Sequence, residues 1–265
     1  MGVINVTLDS FSDGGLFVEH DAAIAHGLLL AEQGATIIDV GGESTRPGSE
    51  GISEDEELQR VIGVIRGIRA ASATLISIDT TKSVVAEAAI EAGATLVNDV
   101  TACTLDPRII DVIRDAQADV CIMHMLGTPR TMQDNPQYDD VVREVGEYLR
   151  RRVDTLVEAG IAPERIAVDP GIGFGKTTAH NCDLLMGIAA IAEVTDCPVL
   201  VGVSRKRFLG DLLGDRDRDR VQASVAAGLV AFEHGVWGLR VHDVAPHIDA
   251  LKVLLGIRHG GTVHP

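Results

Sequence analysis

Short runs of aliphatic residues closed by a polar side chain recur along the chain, separated by longer stretches in which apolar and charged positions alternate with a helical period. The runs are "VINVT" from residue 3, "IIDVGG" from 37, "LISIDT" from 75, "TLVNDV" from 95, "VCIMH" from 120, "IAVDPG" from 166, "VLVGVS" from 199 and "LRVHDV" from 239. Nearly unbroken apolar runs of this length predict strands buried on both faces, as in a parallel sheet covered by helices. Between them, "ISEDEELQRVIGVIRGIRAA" predicts a helix capped by Ser53, with acidic residues in the first turn to suit the helix dipole. The stretches "TKSVVAEAAIEAG" and "DDVVREVGEYLRRRVDTLVEAG" follow the same pattern. In "EQGATIIDV", "EAGATLVNDV" and "EHGVWGLRVHDV" a glycine stands between helix and strand, where a left-handed cap lets the chain reverse.

Eight strand–helix units in 265 residues match the size of a single (β/α)8 barrel, and no linker or low-complexity stretch interrupts them. The expected organisation is one barrel over residues 1–258 and a frayed tail over 259–265. An open, doubly wound sheet is the structural alternative, because alternation of strands and helices does not by itself show closure.

Each strand ends in a polar group: Asn5, Asp39, Asp79, Asn98 with Asp99, His124, Asp169, Ser204 with Lys206, and Arg240 with His242. One such residue is usually a loop-fixing hydrogen bond, but eight strands out of eight predict a functional mouth at the C-terminal end of a barrel.

Composition narrows the class. Hydrophobic residues make up 46% of the chain and aromatics only 3%, so the core is built from Ala, Val, Ile and Leu. A net charge of −16 repels polyanions and argues against nucleic acid as the partner, so any anionic substrate must meet a local cluster of Arg and Lys. Cys103, Cys121, Cys182 and Cys197 form no C-x-x-C pair and read as reduced thiols. There is no apolar run of membrane-spanning length, and the opening "MGVINVTLDSFSDGG" lacks the basic and apolar regions of a signal peptide, so a cytoplasmic protein without membrane association is expected.

The stretch "VDPGIGFGKTTAHN" looks like a phosphate-binding loop but fails both relevant patterns. Pro170 stands where the first Walker glycine belongs, and Lys176 where a dinucleotide fingerprint needs its last glycine. H-E-x-x-H, a nucleophile elbow and a cysteine cluster are also missing from the sequence. The strand ends instead offer carboxylates and an amide (Asp79, Asn98, Asp169) beside cations (Lys206, Arg240). Such oxygens suit a flat heterocycle with several N–H donors, while Arg and Lys suit phosphate or carboxylate.

In chain order, "MGVINVTLDSFSDGG", "GGESTRPG", "SIDTTK", "LVNDV", "MHMLGTPRTMQ", "DPGIGFGKT", "SRKRFLG" and "RVHDV" resemble the successive signatures of bacterial dihydropteroate synthases, pterin-binding TIM barrels of folate biosynthesis. One departure is Leu8, where that family usually has proline. The resemblance implies condensation of 4-aminobenzoate with 6-hydroxymethyl-7,8-dihydropterin diphosphate, with Mg²⁺ as cofactor. It implies a pterin pocket of Asp79, Asn98, Asp169, Lys206, Met123 and Phe174. An aminobenzoate site follows from Thr45, Arg46, Pro47, Phe174, Ser204 and Lys206. Asn5, Thr45, Arg240 and His242 would face the diphosphate, with Asn5 also on the metal. Catalytic roles are implied for Lys206, Asp169 and Arg240, joined by Phe11 and Asp13 of a closing first loop. Arg205 is expected to turn away into a surface ion pair, and His124 to cap a strand. Gly173, Phe174 and Lys176 are expected to form the wall and support of the pocket. The run "GDRDRDR" over 214–220 is expected to be a solvated loop before the last barrel helix, and the alanine-rich "VQASVAAGLVAFEHG" to be core or the interface of the homodimer that the family usually forms.

Overall fold

The computed structural model describes residues 1–6, 13–44, 51–128 and 131–261, with only the backbone described over 13–19. All eight expected strands are present: β1 (Gly2–Asn5), β2 (Ile37–Gly41), β3 (Leu75–Asp79), β4 (Leu96–Asp99), β5 (Asp119–Met123), β6 (Ile166–Asp169), β7 (Leu200–Val201) and β8 (Gly238–Leu239). β1 to β6 pair in sequence order as a parallel sheet, and β7 pairs with β8. Two bridges join these pieces into a ring. Val168 pairs with Val199, its N–H donating to Pro198 O at 3.0 Å, and Gly2 pairs with Val241, whose neighbour bond runs from Val3 N to Val241 O at 3.1 Å. Closure rules out the open sheet and, among the described residues, leaves no edge strand.

The helices are α1 (Asp13–Glu32), α2 (Glu54–Ala71), α3 (Ser83–Glu91), α4 (Arg108–Ala116), α5 (Val141–Glu158), α6 (Thr178–Met186), α7 (Ile188–Thr195), α8 (Arg207–Leu213), α9 (Val221–Glu233) and α10 (Val244–Arg258). Eight strand–helix units are therefore not eight helices: β6 is followed by α6 and α7, and β7 by α8 and α9. The charged run 214–220 accordingly lies between α8 and α9, one helix earlier than expected, and is exposed over residues 214–219. Ser53 caps α2 as its position predicts, Oγ accepting from Glu56 N at 3.2 Å. Gly34, Gly93 and Gly235 all take positive φ at the helix-to-strand reversals.

Register explains where the polar residues go. Side chains alternate across a strand, so residues paired along one row share a face. One row runs Asn5, Gly41, Asp79, Asn98, Cys121 and Ala167. Two residues further on, Met123 pairs with Asp169 on that same face. Cys121, Ala167 and Leu200 form a small apolar cluster of their own, separate from the large core of Ile38, Ile65, Ile76, Ile78, Ile122 and their neighbours beneath the helices. The row containing the site residues is thus the barrel's inner face, and the short strands end at one mouth.

α10 ends at Arg258, and His259 to Gly261 form an exposed turn closed by Gly261 N donating to Gly256 O at 2.7 Å. Residues 262–265 of the expected tail lie outside the described residues. All four cysteines are free. Among the described residues, no helix is long and apolar enough to cross a membrane.

Candidate active site at the barrel mouth

Carboxylates line the inner face from β2 and β3. Asp39, fully buried in mid-strand, and Asp79, at the end of β3, both accept from Arg240: Nε reaches Asp39 Oδ2 at 2.6 Å and Nη2 reaches Asp79 Oδ2 at 2.7 Å. Burial pushes the Asp79 pKa up to about 7 against the pull of Arg240, with Asp39 adding repulsion. Burial opposes the Arg240 charge, but Asp39 and Asp79 outweigh it and raise its pKa further. These two partners of Arg240 are additional to the diphosphate contact expected of it. Its guanidinium is turned into the barrel because two desolvated carboxylates hold it there.

Asn98 is buried beside Asp79 in register, and Met123 beside Asp169. Asp99 turns the other way, its Oδ1 accepting from Thr101 N and Thr101 Oγ1 at 2.7 Å, and so fixes a turn. Asp169 is buried at the end of β6, and its Oδ1 accepts from Gly171 N at 2.6 Å. Burial raises its pKa, while Lys206 and the Gly171 N–H oppose the shift.

The glycine-rich stretch after β6 is a wall of this mouth. Gly171, Gly173 and Gly175 have φ of 70°, 83° and 67°. A Cβ on Gly171 would lie 1.9 Å from His124 O, so no other residue fits there without moving backbone. The N–H groups do not point at an open anion site: Gly171 N donates to Asp169 and Gly173 N to Asn181 Oδ1 at 2.7 Å. Lys176 is buried rather than presented to a phosphate.

Lys206 stands at the N-cap of α8, just past the end of β7. Its Nζ lies 4.7 Å from the centre of the Phe174 ring and donates to Ile172 O. Burial lowers its pKa to about 8, with Asp169 opposing and Arg240 adding to the shift. Ser204 is buried, and its Oγ accepts from His242 N at 3.2 Å and lies 3.1 Å from His242 Nδ1. Arg205 turns away as expected, with φ of 58° and a bidentate pair to Asp243. Asn5 is exposed at the end of β1.

Asp79, Asn98, Met123, Phe174, Asp169, Ser204, Lys206, Arg240, His242 and Asn5 are thus brought to one end of the barrel. Phe11, Thr45, Arg46 and Pro47, together with Leu8 and the Asp13 side chain, lie outside the described residues. Sequence reasoning missed Asp39 as the partner of Arg240, although its place inside an apolar strand was a signal. It also missed the contact between His124 and Lys176, whose Nζ lies 2.9 Å from His124 Nδ1. Only the fold joins residues 52 positions apart.

A closed barrel with buried carboxylates, an amide and a lysine over an aromatic ring is suited to an electron-poor, N–H-rich heterocycle. Residues 1–242 match the family described as pterin binding enzyme. The chain belongs to that family, as one of its dihydropteroate synthases. It is 42% identical over 254 residues to the dihydropteroate synthase of Escherichia coli, covering 96% of this chain and 89% of that one. It superposes with a TM-score of 0.88 on the Xanthomonas albilineans dihydropteroate synthase bound to 4-aminobenzoic acid, at 47% identity over 97% of this chain and 92% of that one. A complex of dihydropteroate synthase from the same organism with 7,8-dihydropteroate gives 0.85 and 44%, over 97% and 92%.

Proposed function

We propose that this chain joins 4-aminobenzoate to (7,8-dihydropterin-6-yl)methyl diphosphate, releasing pyrophosphate and forming 7,8-dihydropteroate, with the barrel mouth as the reaction site. The observation that carries the reading is the convergence of Asp79, Asn98, Asp169 and Lys206 on one mouth of a fold shared with dihydropteroate synthases. Asp169 receives the amino-pyrimidine edge of the pterin, where a carboxylate facing two N–H donors makes a charge-assisted pair. Asn98 and Asp79 complete the polar pocket, and Met123 packs on the ring. Lys206 and Phe174 stand between pterin and aminobenzoate, and Ser204 on the aminobenzoate side. Thr45, Arg46 and Pro47, with Phe11 and Asp13, are assigned to the loops that cover the bound substrates.

In the reaction the methylene carbon–oxygen bond breaks as the diphosphate departs with the bonding pair, and the aryl amine donates its lone pair to that carbon. The amine nitrogen, positively charged once bonded to that carbon, then sheds one proton to solvent or diphosphate. The aryl amine is already a neutral nucleophile, so no strong general base is required. Charge stabilisation carries the step: Asp169 offsets the positive charge at the pterin, while His242 and Arg240 meet the diphosphate. Arg240 must exchange Asp79 for the anion to do so. That exchange is easier because Asp79 takes up a proton near pH 7.

Among the described residues there is no cluster of three metal-binding side chains. Mg²⁺ takes one or two protein oxygens and completes its shell with phosphate and water. The exposed Asn5 amide oxygen at the end of β1 is a hard ligand of that kind. When bound, the ion would neutralise the leaving diphosphate. We assign the chain to the cytoplasm, reading its four free cysteines as reduced thiols, and infer that it pairs with a second copy through the alanine-rich α9, where Val230 is exposed.

A nucleotide hydrolase is disfavoured by the buried Lys176 and by the Gly171 and Gly173 N–H groups, which are taken up by Asp169 and Asn181. The test is pyrophosphate release with both substrates and Mg²⁺, with dihydropteroate identified by mass. Asp169→Asn should lose roughly 2–4 kcal/mol of transition-state stabilisation in kcat/KM. Near-normal turnover of that variant would remove the pterin assignment.

A further inference from the structure

The loop from Gly171 to Gly175 has an unusual set of partners. Its four carbonyls from residue 172 onward each accept from a different side chain. Lys206 Nζ donates to Ile172 O, Gln133 Nε2 to Gly173 O at 2.7 Å, Lys176 Nζ to Phe174 O at 2.9 Å and Tyr138 Oη to Gly175 O at 2.9 Å. Alternating left-handed glycines turn these carbonyls in different directions, and each direction has been met by a donor.

Lys176 is the buried member of this set, 3% exposed. Its ammonium has three donors and finds three acceptors: Phe174 O, His124 Nδ1 at 2.9 Å and His124 O at 3.4 Å. Because Nδ1 accepts, the His124 ring carries its proton on Nε2. The ring is held edge-on to Tyr148, with centroids 4.9 Å apart, and tilted against Tyr138 at 6.2 Å. Lys176 therefore ties the end of β5 to the loop that follows β6.

We propose that Lys176 is a positioning residue of the reaction, which holds the Phe174 backbone against His124 and so sets the height of the Phe174 ring beneath Lys206. The proposal rests on the assignment of Phe174 and Lys206 to the aminobenzoate side of the mouth. Lys176 touches neither substrate in that assignment and acts through the loop.

The charged groups around Lys176 are Asp169 at the end of β6 and Lys206 at the start of α8, with the neutral His124 at the end of β5 and Tyr138 ahead of α5. Burial lowers the Lys176 pKa to about 7, with Asp169 opposing and Lys206 adding to the shift. Burial and the Lys176 charge together push His124 down to about 3, so its ring stays neutral across the working range. Above pH 7 the amine keeps two donors and loses the third, along with the charge that strengthens the other two.

The test has two readouts. In the full chain, Lys176→Met should raise KM for 4-aminobenzoate about tenfold, the loss of one buried charge-assisted bond, while kcat stays within about threefold. Lys176→Gln, which retains two donors, should recover part of that loss. In the unmutated protein, the nitrogen resonance of His124 Nδ1 should move with a midpoint near pH 7 although the imidazole does not titrate there, and the midpoint should vanish in Lys176→Met. Asp79 also titrates near pH 7, but it is not in contact with His124, so it does not supply that signal. Equal losses in kcat and both KM values, or an unchanged KM for 4-aminobenzoate, would overturn the proposal, as would a His124 Nδ1 resonance that Lys176→Met leaves unchanged. Phe174→Ala separates the two readings. If it leaves KM for 4-aminobenzoate unchanged, the assignment of Phe174 fails; if it raises KM and Lys176→Met does not, only the role of Lys176 fails.

Discussion

The two sides of the mouth are built differently. From β2 to β6 the functional side chains sit within the strands, locked by register on the inner face: Asp39, Asp79, Asn98, Met123 and Asp169. From β7 and β8, each only two residues long, the groups come just after the strand: Lys206 from the cap of α8, and Arg240 and His242 from the residues before α10. The first side supplies oxygen acceptors and the second supplies the cations Lys206 and Arg240, of which Arg240 reaches across to Asp39 and Asp79. A rigid array suits recognition of a flat ring, which needs fixed distances. The cationic side must take up and release an anion, and groups on long side chains beyond the strand end can change partners.

The contrast can be broken most severely at Arg240. Arg240→Met strands Asp39 and Asp79 inside the barrel without a counter-charge, and chemical denaturation should show a loss of about 3–5 kcal/mol. Adding Asp39→Asn to that variant should restore part of the loss. A purely catalytic Arg240 would leave stability unchanged.

Lys206 tests whether the cationic side acts in chemistry more than in folding. Lys206→Met should cost roughly 2–4 kcal/mol in kcat/KM. With a pKa lowered to about 8, the unmutated lysine loses its charge as pH rises through that value, so kcat/KM should fall above pH 8 and the Lys206→Met variant should lack that limb. The stability sign runs the other way. A lysine whose folded pKa is lowered binds fewer protons folded than unfolded between pH 8 and 10.5, so its burial penalty fades as pH rises through that window.

Arg205 supplies the smallest effect. It neighbours Lys206 in sequence but pairs with Asp243 at the surface, its side chain 52% exposed. Arg205→Ala should cost less than about 1 kcal/mol by thermal or chemical denaturation and leave turnover intact. A large loss of activity would show that the cationic side extends further than Lys206.

Much of this was legible in the residues. The eight apolar runs predict the eight strands, and their polar ends predict the mouth, because burial on both faces leaves a strand few ways to carry a charge except toward a site. The Ser53 cap and the turned-away Arg205 were readable for local reasons. The second helices after β6 and β7 were not, since short apolar stretches such as 188–195 carry no signal that separates one broken helix from two.

The site was less legible where it depends on partners far apart in the chain. Arg240 reads as an anion-binding strand end, yet it lies 201 residues from Asp39 and only closure of the ring makes them a pair. Lys176 reads as the lysine of a failed phosphate loop, and its true contact, His124, lies just past the end of another strand. Local pattern, set by side-chain period and capping chemistry, determined the strands, the mouth and the kinds of atom offered there. Only the tertiary structure decided which cation neutralises which acid and which pKa values move, because those follow from desolvation and distance after the barrel has closed.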